Sequence, residues 1–262
     1  MTGRVVTSLT NATVKAVRAL HLRKQREETG LFLAEGLKIV TEAVELGHPP
    51  RILLHGPDAD HPLLTKAIAA THAANGEVIE VTREILEKIS RRDNPQMVIG
   101  VFPQVFAGLG ELRPQAAACW VALDRVRDPG NLGTVIRTAD AAGCGAVILV
   151  GDCCDPYSVE AVRATMGSVF AVKIAKAGVE EFLTWRKSWP GSVVGTLLSA
   201  TTDYRSADYR RPVMVLMGNE QAGLPPELAA ACDVAVKIPM RGRADSLNLS
   251  VATGIMIYAS TG

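Results

Sequence analysis

The feature that most constrains this chain is a series of short apolar runs set between segments of helical period. "CWVALD" (119–124) contains no alternation of apolar and polar residues before its final aspartate. A strand with one wet face alternates with period two, so an unbroken run fits a strand covered on both faces. A turn and helix follow, then "AVILV" (strand), "SVEAVRATM" (helix), "SVFAVKI" (strand), "GVEEFLTWRKS" (helix), "SVVGTLLSA" (strand) and "PVMVLMG" (strand). "PPELAAAC" (short helix), "VAVKIPM" (strand) and "NLSVATGIMIYAS" (C-terminal helix) complete the series. Strands alternating with helices imply an α/β fold. Aliphatic residues dominate and aromatics make up 5%. That composition suits an α/β enzyme better than an all-β shell or a stacking platform for single-stranded bases.

A similar series precedes it. "TNATVKAVRALHLRKQREETG" (10–30) reads as one helix capped by Asn11 or Thr10. It is followed by "LFLAEG", "LKIVTEAVELG", "RILLHG", "PLLTKAIAATHAANG", "EVIEV", "TREILEKIS" with Thr82 as cap, and "QMVIGVF". These make a small α/β domain. Prolines and glycines then mark a linker within 103–118. Over 262 residues the net charge is only +1, but residues 1–26 carry +6 and no acid. Lys15, Arg18, Arg23, Lys24 and Arg26 could hold a phosphate backbone, or could be a solvated helix face.

Several classes are excluded. Five cysteines, none spaced C-x-x-C, argue against a disulfide framework or a zinc site. All five histidines lie at or before His72, which argues against a metal cluster or Cys-His nucleophile in the C-terminal part. No apolar run approaches the ~20 residues of a membrane span. The first residues lack the apolar core of a secretory signal. The expectation is a soluble, cytoplasmic protein without a metal. "GNLG" is not the dinucleotide fingerprint, and no phosphate-loop motif occurs.

Three segments stand out. In "PGNLGTVIRTADAAG", Asn131 could cap a helix, Gly133 could let a ligand approach the backbone, and Arg137 could present a fork of donors to phosphate. An ordinary capped helix with an ion-paired arginine is the alternative. In "LMGNEQAGLPPEL", Gly218 ends a strand, and Asn219 and Glu220 lie on the loop beyond, at the edge where open α/β sheets bind ligands. Glu220 could instead cap the next helix. In "IPMRGRADSLNLSVATG", Ser246, Asn248 and Ser250 precede or begin an apolar helix, as caps or as the rim of a loop that wraps a flat ligand.

The order and spacing of these segments closely resemble the SpoU (TrmH-like) family of RNA 2′-O-ribose methyltransferases, within the SPOUT superfamily. The matching residues are N-x-G-x-x-x-R (Asn131, Gly133, Arg137), G-N-E-x-x-G (Gly218, Asn219, Glu220, Gly223) and I-P-M-x-G-x-x-x-S-L-N-x-S-V-A (Ile238 to Ala252). "LFLAEGLKIVTEAVELG" and "DNPQMVIGVF" resemble the family's N-terminal substrate-binding domain. Leu249 and Met97 depart from it, where valine and glycine are usual.

The resemblance implies an α/β fold with two parts. One is a C-terminal SPOUT domain, with a mostly parallel sheet and a deep trefoil knot. The other is a small N-terminal α/β substrate-binding domain. The boundaries expected are 1–106 for the RNA substrate-binding domain, 107–116 for the linker and 117–262 for the methyltransferase domain. S-adenosylmethionine (SAM) is the implied cofactor, with contacts at Thr196, Leu197, Gly218, Ile238, Met240, Leu247 and Asn248. Arg137, Asn131, Glu220, Ser246 and Asn248 are the implied catalytic set. The family assigns a base role to Arg137, but a guanidinium pKa above ~12 favours positioning of phosphate and hydroxyl instead. Lys15, Arg18, Arg23, Lys24 and Arg26 would contact RNA. A homodimer through the C-terminal domain is implied, and ribosomal RNA is the expected substrate. The alternatives are a tRNA 2′-O-methyltransferase and a catalytically silent RNA-binding or ribosome-assembly factor.

Overall fold

The apolar runs do form strands, and the chain sorts them into two sheets. The structure is a computed structural model that describes residues 4–57 and 59–261. Two units are distinguished: Met1–Gln104 with Tyr157–Phe170, and Val105–Pro156 with Ala171–Gly262.

The N-terminal unit runs β1 (Arg4–Val6), α1 (Ala12–Ala19), α2 (Arg23–Thr29), β2 (Leu31–Glu35), α3 (Leu37–Glu45), β3 (Ile52–His55), α4 (Pro62–Ala73), β4 (Glu77–Val81), α5 (Arg83–Ser90) and β5 (Val98–Pro103). The sheet order is β1-β4-β3-β5-β2. β1, β4 and β3 are parallel, and β5 runs antiparallel to both of its neighbours. Asn11 Oδ1 accepts from the Thr13 and Val14 amides, and Thr82 Oγ1 from Ile85, so both expected caps form. Val14 and Val17 of α1 and Ile85, Leu86 and Ile89 of α5 bury against Leu33, Leu54 and Ile79.

The single helix expected over 10–30 is two helices. The chain breaks at Leu20–Leu22, where His21 Nε2 meets the Ile89 carbonyl at 2.6 Å. Arg26 is buried, and its Nη1 donates to the Leu20 carbonyl at 2.7 Å, at the end of α1. This corrects the reading of Arg26 as an RNA contact. Its guanidinium satisfies an orphan helix carbonyl and is turned away from solvent. β1 has no counterpart in the sequence reading.

The C-terminal unit contains β6 (Cys119–Asp124), α6 (Pro129–Ala141), β7 (Val147–Val150), β8 (Ile174–Ala177), α8 (Val179–Arg186), β9 (Val193–Thr196), β10 (Thr202–Asp203), β11 (Val213–Met217), α9 (Pro226–Ala230), β12 (Val234–Lys237) and α10 (Leu249–Thr261). Between β7 and β8 the chain supplies α7 (Val159–Thr165) to the N-terminal unit. The seven strands run in the order β10-β12-β9-β11-β6-β7-β8, and every neighbouring pair is parallel. From β6 the chain builds outward through β7 and β8, then returns to the far side through β9 and β11. The switch point therefore lies between β6 and β11, where an open parallel sheet leaves a crevice at the carboxyl ends of its strands. No helix among the described residues is long and apolar enough to cross a membrane.

Two expectations shift. "SVFAVKI" is not one strand. Ser168–Phe170 is a 3₁₀ turn, and the strand is Ile174–Ala177. Phe170 belongs to the N-terminal unit, where its ring lies 5.7 Å from that of Phe32 and 4.7 Å from that of Phe102. Residues 107–116, read as a linker, are anchored. The Ala107 amide donates to the Ile174 carbonyl, and Leu109 and Leu112 are buried in the C-terminal core.

Within the N-terminal unit, Glu35 at the end of β2 is buried and receives Arg163 of α7. Nη2 lies 2.7 and 2.6 Å from the two carboxylate oxygens and also donates to the Ser90 carbonyl. Removing one member of such a pair strands a charge in a low-dielectric site. Arg163→Met is expected to cost ~3–5 kcal/mol in urea unfolding, and Glu35→Leu/Arg163→Met to recover most of that loss. A double variant less stable than the single would contradict a pair held by charge compensation.

Candidate active site

The first loop at the switch point follows β6. Asp124 at the strand end is buried, and its carboxylate holds the Arg125 guanidinium at 2.9–3.2 Å. Arg125 takes a left-handed backbone with φ +46°. Asn219, on the loop after β11, donates from Nδ2 to the Arg125 carbonyl at 2.8 Å. Its Oδ1 accepts from the Gln221 and Ala222 amides, which closes its own turn. Asn219 and Gly223 exchange backbone hydrogen bonds of 3.1 and 3.0 Å. A Cβ at Gly218 would stand 2.2 Å from the Gly223 carbonyl carbon, so only glycine allows this fold-back.

Helix α6 starts at Pro129, and Asp128 is its cap, accepting from the Asn131 amide at 2.6 Å. This corrects the assignment of the cap to Asn131. An Asp-Pro pair places a capping carboxylate before a proline whose missing N–H costs nothing in the first turn. The Asn131 side chain is thereby freed. Its Nδ2 lies 3.4 Å from Glu220 Oε1, and its Oδ1 accepts from Asn248 Nδ2 at 2.9 Å. Asn248 Oδ1 in turn accepts from the Ser250 amide and hydroxyl and from the Val251 amide, which caps α10. Glu220 also faces the Arg127 and Asp128 amides at 3.4 Å. Three segments far apart in sequence thus meet through side-chain amides and one carboxylate.

Beside this junction lies a cavity of about 440 Å³, in the range of small-molecule sites. Every residue the sequence reading expected to touch the cofactor lines it: Thr196, Leu197, Gly218, Ile238, Met240, Leu247 and Asn248. Asn131, Glu220 and Ser246 line it as well. Ser246 is exposed, and its Oγ pairs with Asp245 Oδ1 at 3.1 Å. Arg137 stands apart. It is not among the lining residues, it is exposed on α6, and it has no hydrogen bond or ion pair among the described residues. The buried hydroxyl of Thr196 has no protein partner among the described residues. An orphan donor in a mostly apolar wall is what a bound polar ligand satisfies.

The sequence reading missed Lys237 and Leu198 in this wall. Leu198 was placed in a strand, but β9 ends at Thr196 and Leu198 is 80% exposed. Lys237 carried a usable signal, since it is a lone cation closing an apolar strand directly before "IPM". Burial pushes the Cys153 thiol up to about 11 and the Cys154 thiol up to about 12, so both stay protonated at neutral pH. Among the described residues no group of three or more His, Cys, Asp or Glu could hold a metal ion.

The model of the SpoU rRNA Methylase family matches residues 118–258, more than half of the chain. The chain belongs to the SpoU rRNA methylase family. Residues 11–100 match the MRM3-like substrate binding domain. Among SpoU relatives, the 23S rRNA (guanosine(2553)-2′-O)-methyltransferase RlmP of Bacillus subtilis is 29% identical, over 97% of each chain. The 23S rRNA (uridine(2479)-2′-O)-methyltransferase of Streptomyces viridochromogenes is 32% identical over 90% of this chain and 84% of its own. A crystal structure of an AdoMet-bound rRNA methyltransferase from Sinorhizobium meliloti is 52% identical, covers 98% of this chain and 97% of its own, and superposes with a TM-score of 0.92. In this SpoU chain the Asn131–Asn248–Glu220 junction joins all three family motifs.

Asn248 serves the helix and the junction with different atoms, so the two roles can be separated. Asn248→Ala is expected to cost ~1 kcal/mol in chemical denaturation through the lost cap, whereas Asn248→Asp, which keeps an accepting oxygen, stays within about 0.5 kcal/mol of the wild type. Equal losses in both variants would show that the Asn131 bond, and not the cap, carries the stability.

Proposed function

We propose that the protein transfers a methyl group from SAM to a ribose 2′-hydroxyl of ribosomal RNA, as a homodimer formed through its C-terminal domain. The observation that carries this reading is the meeting of Asn131, Glu220 and Asn248 at the wall of a cavity lined by the expected cofactor residues. The residues fit the cofactor. The unpartnered Thr196 hydroxyl offers a polar anchor. Leu197, Ile238, Met240 and Leu247 offer apolar surface for an adenine and the methylene groups of the amino-acid tail. The deep trefoil knot is part of this reading, as is work in the cytoplasm, where ribosomal RNA is found. Full-length similarity to two named rRNA 2′-O-methyltransferases supports rRNA over tRNA.

SAM supplies a methyl group already activated by its sulfonium charge. The protein's own share is therefore alignment and removal of one proton. Asn131 is held from both sides, by Glu220 and Asn248, and so presents a fixed amide at the cavity wall. Glu220 is engaged by four N–H groups around its two oxygens, the Arg127 and Asp128 amides and the Nδ2 groups of Asn131 and Asn219, which makes it an orienting group. Arg137 presents a planar fork of N–H donors and no acceptor. We assign it to the RNA phosphate and the target hydroxyl. Its exposure, and its absence from the cavity of its own chain, support a site completed across the dimer. On α10 the exposed Val251 and Tyr258 lie seven residues apart, with the half-buried Ile255 between them, an apolar stripe suited to a partner copy.

The N-terminal domain, residues 1–106, is assigned to RNA binding and residues 117–262 to methyl transfer, with the connecting residues 107–116 packed on the C-terminal core. Of the expected cations, Arg23 pairs with Glu27 and Lys24 with Glu28. Lys15 and Arg18 are exposed and have no ion pair among the described residues. Arg91 and Arg92, after α5, are equally free, and α5 shares a core with α1. Arg51, Lys66 and Lys88 are also exposed without an ion pair among the described residues, and we assign to the phosphate backbone the four that lie on α1 and directly after α5.

Mapping 2′-O-methylation on total RNA from a deletion strain and its complemented partner tests the activity, and an unchanged map would sink it. Mixing Arg137→Ala with Asn131→Ala protein is expected to restore part of the activity each lacks alone, because heterodimers hold one intact site. No recovery would place Arg137 in its own chain's site. Replacing Lys15, Arg18, Arg91 and Arg92 by alanine is expected to weaken RNA binding and to flatten its salt dependence by ~0.7–0.9 per lost phosphate contact. An unchanged slope returns these residues to a solvated face.

A further inference from the structure

The cavity wall holds an unsatisfied charge that the three family motifs do not explain. Among the described lining residues, Glu220 and Lys237 are the charged ones. Glu220 is occupied by the Arg127 and Asp128 amides and by Asn131. Lys237 is half-buried at the end of β12 and has no hydrogen bond or ion pair from its ammonium among the described residues. Its cross-strand partner in register is Asp203 of β10. Residues in register on adjacent strands point to the same face of the sheet, so Asp203 is an acid neighbouring Lys237. Here Arg205 takes that carboxylate with both arms of its fork, Nε to Oδ1 at 3.0 Å and Nη2 to Oδ2 at 2.6 Å. The fold therefore supplies Lys237 with an acid at the right register and gives that acid to another cation. Lys237 thus puts a positive charge at the cavity wall with no protein counter-ion among the described residues, and an anionic group of a ligand can supply one.

We infer that Lys237 binds the carboxylate of the cofactor's amino-acid tail and so sets the direction in which the cofactor lies. This inference rests on the SAM reading above. SAM carries one carboxylate, one ammonium and one sulfonium. A fixed cation in the wall attracts the first and repels the other two. With Lys237 on the carboxylate, the sulfonium and its methyl are kept away from the lysine. Lys237 is thus a cofactor-positioning residue, and its role is electrostatic. A methylene chain of the same length would line the wall equally well but would not discriminate between tails.

Isothermal titration with two ligands separates this role from mere packing. S-adenosylhomocysteine has the amino-acid tail, and 5′-methylthioadenosine has the same nucleoside and thioether without it. In Lys237→Met, binding of S-adenosylhomocysteine is expected to weaken roughly tenfold, while 5′-methylthioadenosine changes by no more than about twofold. Lys237→Arg, which keeps the charge, is expected to retain most of the wild-type preference for the longer ligand. It also guards against a fold defect in the methionine variant. Equal weakening of both ligands in Lys237→Met, or no weakening of either, would overturn the inference. A wild-type protein that binds neither ligand would overturn the SAM reading itself, and the inference with it.

Discussion

The junction of Glu220, Asn131 and Asn248 is the interaction on which the rest of the site depends, because its polarity can run only one way. A carboxylate accepts hydrogen bonds and donates none. Asn131 must therefore turn its Nδ2 to Glu220 and its Oδ1 to Asn248. Asn248 must then offer its Nδ2, which leaves its Oδ1 to face the amides at the start of α10. Those amides are the positive end of a helix and need an acceptor. A single ionised group at one end and a helix N-terminus at the other thus fix the orientation of two amides between them. Each bond polarises the next. Asn248 can cap α10 and bond Asn131 at once because its amide accepts with one atom and donates with the other, whereas an aspartate there could cap but not donate.

That junction needs loops delivered to one place, and the parallel sheet does this without further instruction. Parallel strands all present their carboxyl ends on the same edge. The loops after β6, β9, β11 and β12 therefore emerge together, two of them flanking the switch point. Asn219 then ties the β11 loop to the β6 loop by holding the Arg125 carbonyl. The left-handed Arg125 is tolerated because its backbone is bonded there and its side chain is clamped to the buried Asp124. The core beneath is continuous and apolar, so this edge is where polar side chains can gather with partners.

Much of this was legible in the sequence, and the misreadings share a cause. Unbroken apolar runs identified β6, β7 and β11, and the caps at Asn11 and Thr82 were readable because each precedes an apolar period. The expected cofactor residues all reached one cavity, because the family motifs fall on strand ends. The break between α1 and α2 was invisible. "ALHLRK" holds no glycine or proline, and the break is held by a tertiary bond from His21 to the Ile89 carbonyl and by a local one from Arg26 back to the Leu20 carbonyl. Arg26 was misread for the same reason: charge is visible in a sequence, but burial against a helix carbonyl is not. "SVFAVKI" was misread because Phe170 serves the aromatic cluster of the other unit, with Phe32 and Phe102. Local pattern failed wherever a residue's partner lay in a distant segment. The Asp128 cap is the exception, since the Asp-Pro pair was in plain view and a nearby asparagine drew the assignment.

The distribution of charge separates two kinds of recognition in one chain. Lys15, Arg18, Arg91 and Arg92 are exposed cations on long side chains, and a phosphate contact made by an exposed cation releases counterions and weakens with salt. The cavity holds two charges, one of them spent on backbone amides, within a wall of leucine, isoleucine and methionine. Contacts of that kind depend on desolvation and shape, and salt screens partly buried charges much less. Affinity for the nucleic acid can then vary with ionic conditions while the small-molecule site keeps its own. The reaction asks for that division. The methyl donor must be held in one orientation through every encounter, whereas an RNA must be captured, aligned and released. A site crowded with arginines would grip the product as firmly as the substrate. Here the guanidinium of Arg137 stands outside the cavity, on the surface of α6, so the wall that would hold the methyl donor carries no arginine of the described residues.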